Sequence, residues 1–303
     1  MASSSDIAAR IQELKKEKDA LVLAHYYVPM EVHEVADYVC DSFAMAKYAN
    51  DAKQKMIVIC GVQFMGESAK ILSPDKKVLI PEADAGCPMA DMITPEDVLA
   101  LRAKHPDAAA MCYVNSSAAV KAVSDICCTS SSALKIARSL DAKEIIFVPD
   151  INLGTYTAKM VPEKTFVLFD GNCPVHHEIR EADVICAKAE HPGAKFAVHP
   201  ECREEVVKHA DFVGSTAEII EYAKKTDACE IIIGTELEIA RILKRDLPDK
   251  TFYNVVPEFV CEDMKKVTLE SVLNCLETEE FEIKLAADEI EGAKSSLDRM
   301  VAV

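Results

Sequence analysis

The chain repeats itself three times, and that repeat sets most of what it can fold into. A polar triplet recurs as His25-Tyr26-Tyr27, Tyr113-Val114-Asn115 and His199-Pro200-Glu201, 88 and then 86 residues apart. A second marker recurs with the same offsets as Asp41-Ser42, Thr129-Ser130 and Ser215-Thr216. A cysteine then closes each copy: Cys87, Cys173 and Cys261, 86 and then 88 residues apart. Chance could supply one such match but hardly three at nearly one spacing, so the chain reads as tandem repeats.

Each copy alternates buried-strand runs with helix-like segments. The apolar, β-branched runs are Ala20–Ala24, Met56–Cys60, Lys77–Ile80, Ala109–Val114, Glu144–Val148, Thr165–Phe169, Lys195–Val198, Glu230–Ile233 and Thr251–Val255. Nearly continuous apolarity of this kind marks strands covered on both faces, as in parallel sheets. Segments such as Ser131–Leu140, Thr216–Lys225 and Leu237–Lys244 place apolar residues three and four apart between the runs. The pattern predicts an α/β fold of three tandem αβα units, 1–87, 88–173 and 174–261, with a helical tail at 262–303. In the tail, Thr268 reads as an N-cap, Phe281–Val301 as an amphipathic helix, and Glu277–Glu280 as a solvated acidic face. All three markers fall at strand carboxyl ends, where parallel sheets bind ligands. A ring of three units with those ends inward, in pseudo-threefold arrangement, would bring the markers to one central site.

A formal charge of −17 excludes a nucleic-acid partner, which requires a basic footprint. An anionic substrate would need positive potential from helix N-termini or a metal. No apolar stretch nears the roughly 20 residues of a membrane span, and Met1–Lys15 lacks an apolar signal core. The expected setting is therefore cytoplasmic, with no membrane partner. Twelve cysteines in such a setting are seldom disulfides. Most read as small buried hydrophobes, Cys60 and Cys112 among them. Cys87, Cys173 and Cys261 stand apart because they share the repeat register. Three thiolates, one from each unit, suggest a metal centre: either a [4Fe-4S] cluster with one iron left open or a three-thiolate zinc.

At these residues the chain resembles a known family. Ala85-Gly86-Cys87, Gly171-Asn172-Cys173-Pro174-Val175-His176, and Cys261 with Met264-Lys265 and Thr268-Leu269 are similar to the three cluster motifs of the quinolinate synthases. Ala24-His25-Tyr26-Tyr27, Gly214-Ser215-Thr216 and Arg299-Met300 extend the resemblance over essentially the whole chain. It departs at Phe169, where the second motif is often preceded by Trp, an apolar exchange. The resemblance implies condensation of iminoaspartate with dihydroxyacetone phosphate to quinolinate, losing phosphate and two waters, for NAD biosynthesis. It further implies a [4Fe-4S] cluster used as a Lewis acid, three αβα sandwiches about a pseudo-threefold axis, and a functional link to an enzyme that makes iminoaspartate.

Single residues carry competing readings. Glu201 is either a first-turn carboxylate or the general acid–base that tautomerisation and dehydration need; the resemblance favours the latter. His25 and His199 hold one register and point to substrate contact or proton transfer. Tyr27 and Tyr113 offer hydroxyls, and Asn115 would hold a carboxylate or carbonyl oxygen. Ser42, Ser130, Ser215 and Thr216 read as N-cap residues, and a helix start with a hydroxyl is also an anion site. His176 would support the cysteine three residues before it. Two further readings stay open: a zinc-dependent hydrolase or lyase, and a redox-sensing anion-binding protein.

Overall fold

The computed structural model describes residues 3–302; Met1, Ala2 and Val303 lie outside them. Among the described residues, twelve strands form three four-stranded sheets, parallel throughout. The first holds β1 (Ala20–His25), β2 (Tyr38–Cys40), β3 (Met56–Cys60) and β4 (Lys77–Leu79) in the order β2-β1-β3-β4. The second holds β5 (Ala109–Tyr113), β6 (Ile126–Cys128), β7 (Glu144–Val148) and β8 (Thr165–Leu168) in the order β6-β5-β7-β8. The third holds β9 (Lys195–Val198), β10 (Phe212–Val213), β11 (Glu230–Gly234) and β12 (Thr251–Asn254) in the order β10-β9-β11-β12. The expected α/β class and threefold repetition are thus present, with one strand order used three times.

The nine apolar runs are all strands, within a residue or two at their ends. The structure adds β2, β6 and β10, two or three residues each and too short to show a period. A repeated aspartate fixes them. Asp37, Asp125 and Asp211 each precede the short strand and accept a side-chain hydrogen bond from a neighbouring strand amide, Val22, Ala110 or Phe196, at 2.8, 2.7 and 2.9 Å. Each aspartate's own N–H donates back to that same residue's carbonyl. The pairing is reciprocal and recurs at the repeat offsets.

The tail differs from expectation in two places. The last helix is Ala287–Val301, and Phe281 begins no helix. Residues 281–283 instead run antiparallel to the edge of the first sheet, with Ile283 N–H donating to the Val78 carbonyl at 2.8 Å. Ile283 is buried while Phe281 is exposed, so the apolar spacing that suggested a helix belongs to an extended segment. Glu279 is no mere solvated charge: it closes the helix Leu269–Thr278 in the left-handed region, φ 57°, and pairs with Lys18 at 2.6 Å and Lys77 at 2.5 Å. Thr268 does cap that helix, accepting from the Ser271 N–H. Among the described residues, no helix is long and apolar enough to cross a membrane.

Candidate active site and metal centre

The carboxyl ends of the three sheets surround one cavity of about 530 Å³. Its wall takes His25, Tyr27 and Ser42 from the first unit, Tyr113, Asn115 and Ser130 from the second, and His199, Glu201 and Thr216 from the third. Cys87, Cys173 and Cys261 open into the same space. Of the remaining nine cysteines, seven are buried, and Cys186 and Cys229 lie on the surface.

The three cavity cysteines are held alike. Two residues before each, a carbonyl (Ala85, Gly171, Phe259) accepts from the backbone N–H of Gln63, Ile151 or Leu237 at 2.9, 2.7 and 2.9 Å. Each sulfur in turn accepts from the backbone N–H three residues on, of Ala90, His176 or Met264. Cys173 and Cys261 begin the short helices Pro174–His177 and Glu262–Lys265. Such N–H donors at a helix start suit a thiolate. Burial still pushes the free thiols up, Cys87 to about 12, Cys261 to about 11 and Cys173 well above its usual range. A metal that displaces the thiol proton overcomes that cost. Cys173, His176 and Glu201 each bring one ligand atom within 4.8 Å of the others.

Residues 9–302 match the family model described as quinolinate synthetase A protein. The chain is 52% identical to the quinolinate synthase of Caldicellulosiruptor saccharolyticus, covering 97% of each chain. It is 50% identical to quinolinate synthase 2 of Methanosarcina acetivorans, over 98% of this chain and 96% of that one. Against the quinolinate synthase of Clostridium kluyveri the identity is 48%, over 97% of each. The chain belongs to the quinolinate synthetase A family. It is therefore an enzyme of that kind, with side chains at its centre able to bind a metal.

Glu201 lies buried at the centre of these groups. It is 3% exposed, and its Oε1 has no hydrogen-bond partner. Its Oε2 lies 2.8 Å from His176 Nδ1 and 3.5 Å from His199 Nδ1. Burial alone would raise its pKa; the two imidazoles and the His176 hydrogen bond outweigh burial and hold it at about 2. The matched histidines are placed identically: Nδ1 of His25 accepts from Tyr27 N–H at 3.2 Å, and Nδ1 of His199 from Glu201 N–H at 3.3 Å. Burial lowers both to about 3, so both are neutral near pH 7 and turn Nε2 away from the backbone. Burial and the nearby Glu201 charge push the Tyr113 phenol well above its usual range. Asn115 Oδ1 is a second buried oxygen without a partner.

The polar pairs divide their labour. Asp41 and Ser215 are the true N-caps of Ser42–Asp51 and Thr216–Lys225, accepting from Ala44 and Glu218 N–H. Ser42 and Thr216 are thus first helical residues, not caps, while Ser130 stands before Ser132, which begins Ala133–Ser139. Ser42, Ser130 and Thr216 line the cavity, together with Asp41 and Thr129. Ser215, spent on its cap, does not line it.

Three site residues were not found from the sequence. Thr235 Oγ1 joins Tyr27 OH at 2.8 Å to His176 Nε2 at 3.0 Å, and Tyr27 OH also reaches Thr216 Oγ1 at 2.8 Å. One hydrogen-bonded path thereby runs from Thr216 through Tyr27, Thr235 and His176 to Glu201. Asp150 and Glu236, both fully buried, accept the N–H of Cys173 at 3.0 Å and of Cys261 at 3.4 Å. They share a repeat position, and the signal was available there: the first unit has Val62 at that place.

Proposed function

We propose that this enzyme condenses iminoaspartate with dihydroxyacetone phosphate to quinolinate, releasing phosphate and water, in the NAD biosynthesis of the cytoplasm. An iminoaspartate-producing enzyme would supply one substrate. Cys87, Cys173 and Cys261 would hold a [4Fe-4S] cluster, which supplies a Lewis acid when bound. The observation that carries the reading is the meeting of three identically held thiols and an ionised, half-unpartnered Glu201 in one cavity.

The side chains divide the chemistry. Glu201 starts ionised and acts as the base, its Oε1 free of any hydrogen-bond partner. His176 holds the other oxygen and takes part of the charge. His199 and His25, neutral and fixed by backbone donors, present Nε2–H to substrate oxygen or nitrogen. The phenols of Tyr27 and Tyr113 stay protonated and orient substrate. Ser42, Ser130 and Thr216, at or near helix starts, receive the anionic groups that a chain of charge −17 would otherwise repel. The test is an anaerobic assay of quinolinate formed from dihydroxyacetone phosphate with iminoaspartate generated in place. Glu201→Gln should lower that rate about 10²-fold or more with iron content unchanged. Near-normal turnover in Glu201→Gln would reduce Glu201 to a structural carboxylate, and absence of quinolinate from the unaltered protein would overturn the function.

A further inference from the structure

We propose that the cluster-free chain binds a single zinc ion through Cys173 Sγ, His176 Nδ1 and Glu201 Oε2. This ligand set shares one residue with the three-thiol centre. His176 Nδ1 lies 3.3 Å from Cys173 Sγ and 2.8 Å from Glu201 Oε2, and the three atoms fall within 4.8 Å of one another. Zinc bonds of about 2.0–2.3 Å in a tetrahedron place ligand atoms roughly 3.3–3.8 Å apart, so small side-chain shifts suffice.

Three further features favour the ion. The outer nitrogen of His176 is already engaged, 3.0 Å from Thr235 Oγ1, which fixes the ring with Nδ1 toward the metal. Glu201 Oε1 is buried without a partner, an oxygen that a metal or its bound water would satisfy. The mixed sulfur, nitrogen and oxygen set suits zinc, which outranks ferrous iron at such sites. Binding expels the Cys173 thiol proton to solvent, and the fourth position opens on the cavity for water or a carboxylate. The ion takes Cys173 from the cluster and Glu201 from catalysis at once. A zinc-loaded chain would neither rebuild its cluster nor turn over; this consequence, unlike the site itself, rests on the proposed function.

The test uses the full-length chain stripped of iron and titrated with zinc against a chromogenic chelator. One equivalent should bind. The double variant Cys87→Ser/Cys261→Ser should keep its affinity within about threefold, while Cys173→Ser and His176→Gln should each lose about 100-fold or more, beyond the effect of a lost supporting contact. Loss of zinc from the double variant, or unchanged affinity in His176→Gln, overturns the proposal. Cobalt bound to the unaltered chain gives a reading that needs no variant: charge-transfer intensity of one thiolate supports the site, and that of three refutes it. Iron–sulfide reconstitution of the same preparation tests the cluster separately, so a cluster that forms where zinc does not bind sinks this inference alone.

Discussion

The first two sheets share one hydrophobic core, whereas the third keeps two of its own. Residues of sheets one and two and of the tail form a single buried cluster. The helix Ala287–Val301 runs through it, packing on β6 and on the helices Ala118–Ala122 and Gln63–Leu72, with Ala293, Leu297 and Met300 buried. The third sheet is covered on its two faces by separate clusters, one around Phe196 and Ile232 and one around Ile219 and Ile231. Tyr26 and Tyr27 pack on its edge, but much of what ties it to the rest is polar. Lys265 reaches Glu236 at 2.8 Å, Glu238 at 3.2 Å and the Tyr27 carbonyl at 2.5 Å, and Asn152 Nδ2 donates to the Glu201 carbonyl at 2.9 Å. Apolar burial therefore secures the frame of two units, while hydrogen bonds and ion pairs position the unit that brings Glu201.

The comparison breaks first if the units are unequal as cysteine donors. Cys173→Ala should reduce bound iron and sulfide to background, whereas Cys60→Ala and Cys275→Ala should leave them in place. Full iron and sulfide in Cys173→Ala would show that the three units do not contribute alike.

Core truncations sharpen it next. Leu297→Ala and Ile219→Ala should each cost about 2–5 kcal/mol. Amide exchange should rise across both of the first two sheets for Leu297→Ala and within the third for Ile219→Ala. Equal spread of exchange from either site would mean that the three units unfold as one.

A smaller effect separates frame from site within the third unit. Ser215→Ala loses an N-cap worth about 1 kcal/mol and should lower thermal stability with little change in KM. Thr216→Ala should leave stability nearly intact and weaken substrate binding by roughly 1.5–3 kcal/mol, the scale of a hydrogen bond to a charged group. The reverse assignment would mean that the capping geometry does not describe the working enzyme.

The gentlest test is acid. His25 titrates at about 3 when folded, against 6.5 for a free histidine. The unfolded chain thus binds the proton first, and stability falls as pH drops from 6.5 toward 3. His25→Gln should reduce that dependence by about one proton. An unchanged slope would place the titration elsewhere.

Much of this was legible because buried strands need long apolar runs and the repeat aligned them. The short strands β2, β6 and β10 escaped because two or three residues carry no period, although Asp37, Asp125 and Asp211 stand in register as plainly as the cysteines. Phe281–Ala286 misled because a few apolar residues fit period two as well as a helix. Thr235, Asp150 and Glu236 escaped for other reasons. Thr235 bonds Tyr27 of the first unit, so its role exists only once the sheets meet. Asp150 and Glu236 each hold the cysteine of their own unit, and Val62 at the matching place in the first unit breaks the pattern. The hydroxyl pairs were half legible: the sequence shows two polar residues at a helix start, and only the turn geometry decides which one caps.

The triplet at each strand end has one more consequence. Its third residue is Tyr27, Asn115 or Glu201: a phenol, an amide and a carboxylate at equivalent places in the repeat. A frame that repeated without variation would accept a small ligand in three rotational poses of equal energy. Three unlike groups at one register lift that degeneracy. The repetition builds the chamber, and the divergence at this one position gives it a handed orientation, so that a bound molecule has a single way round.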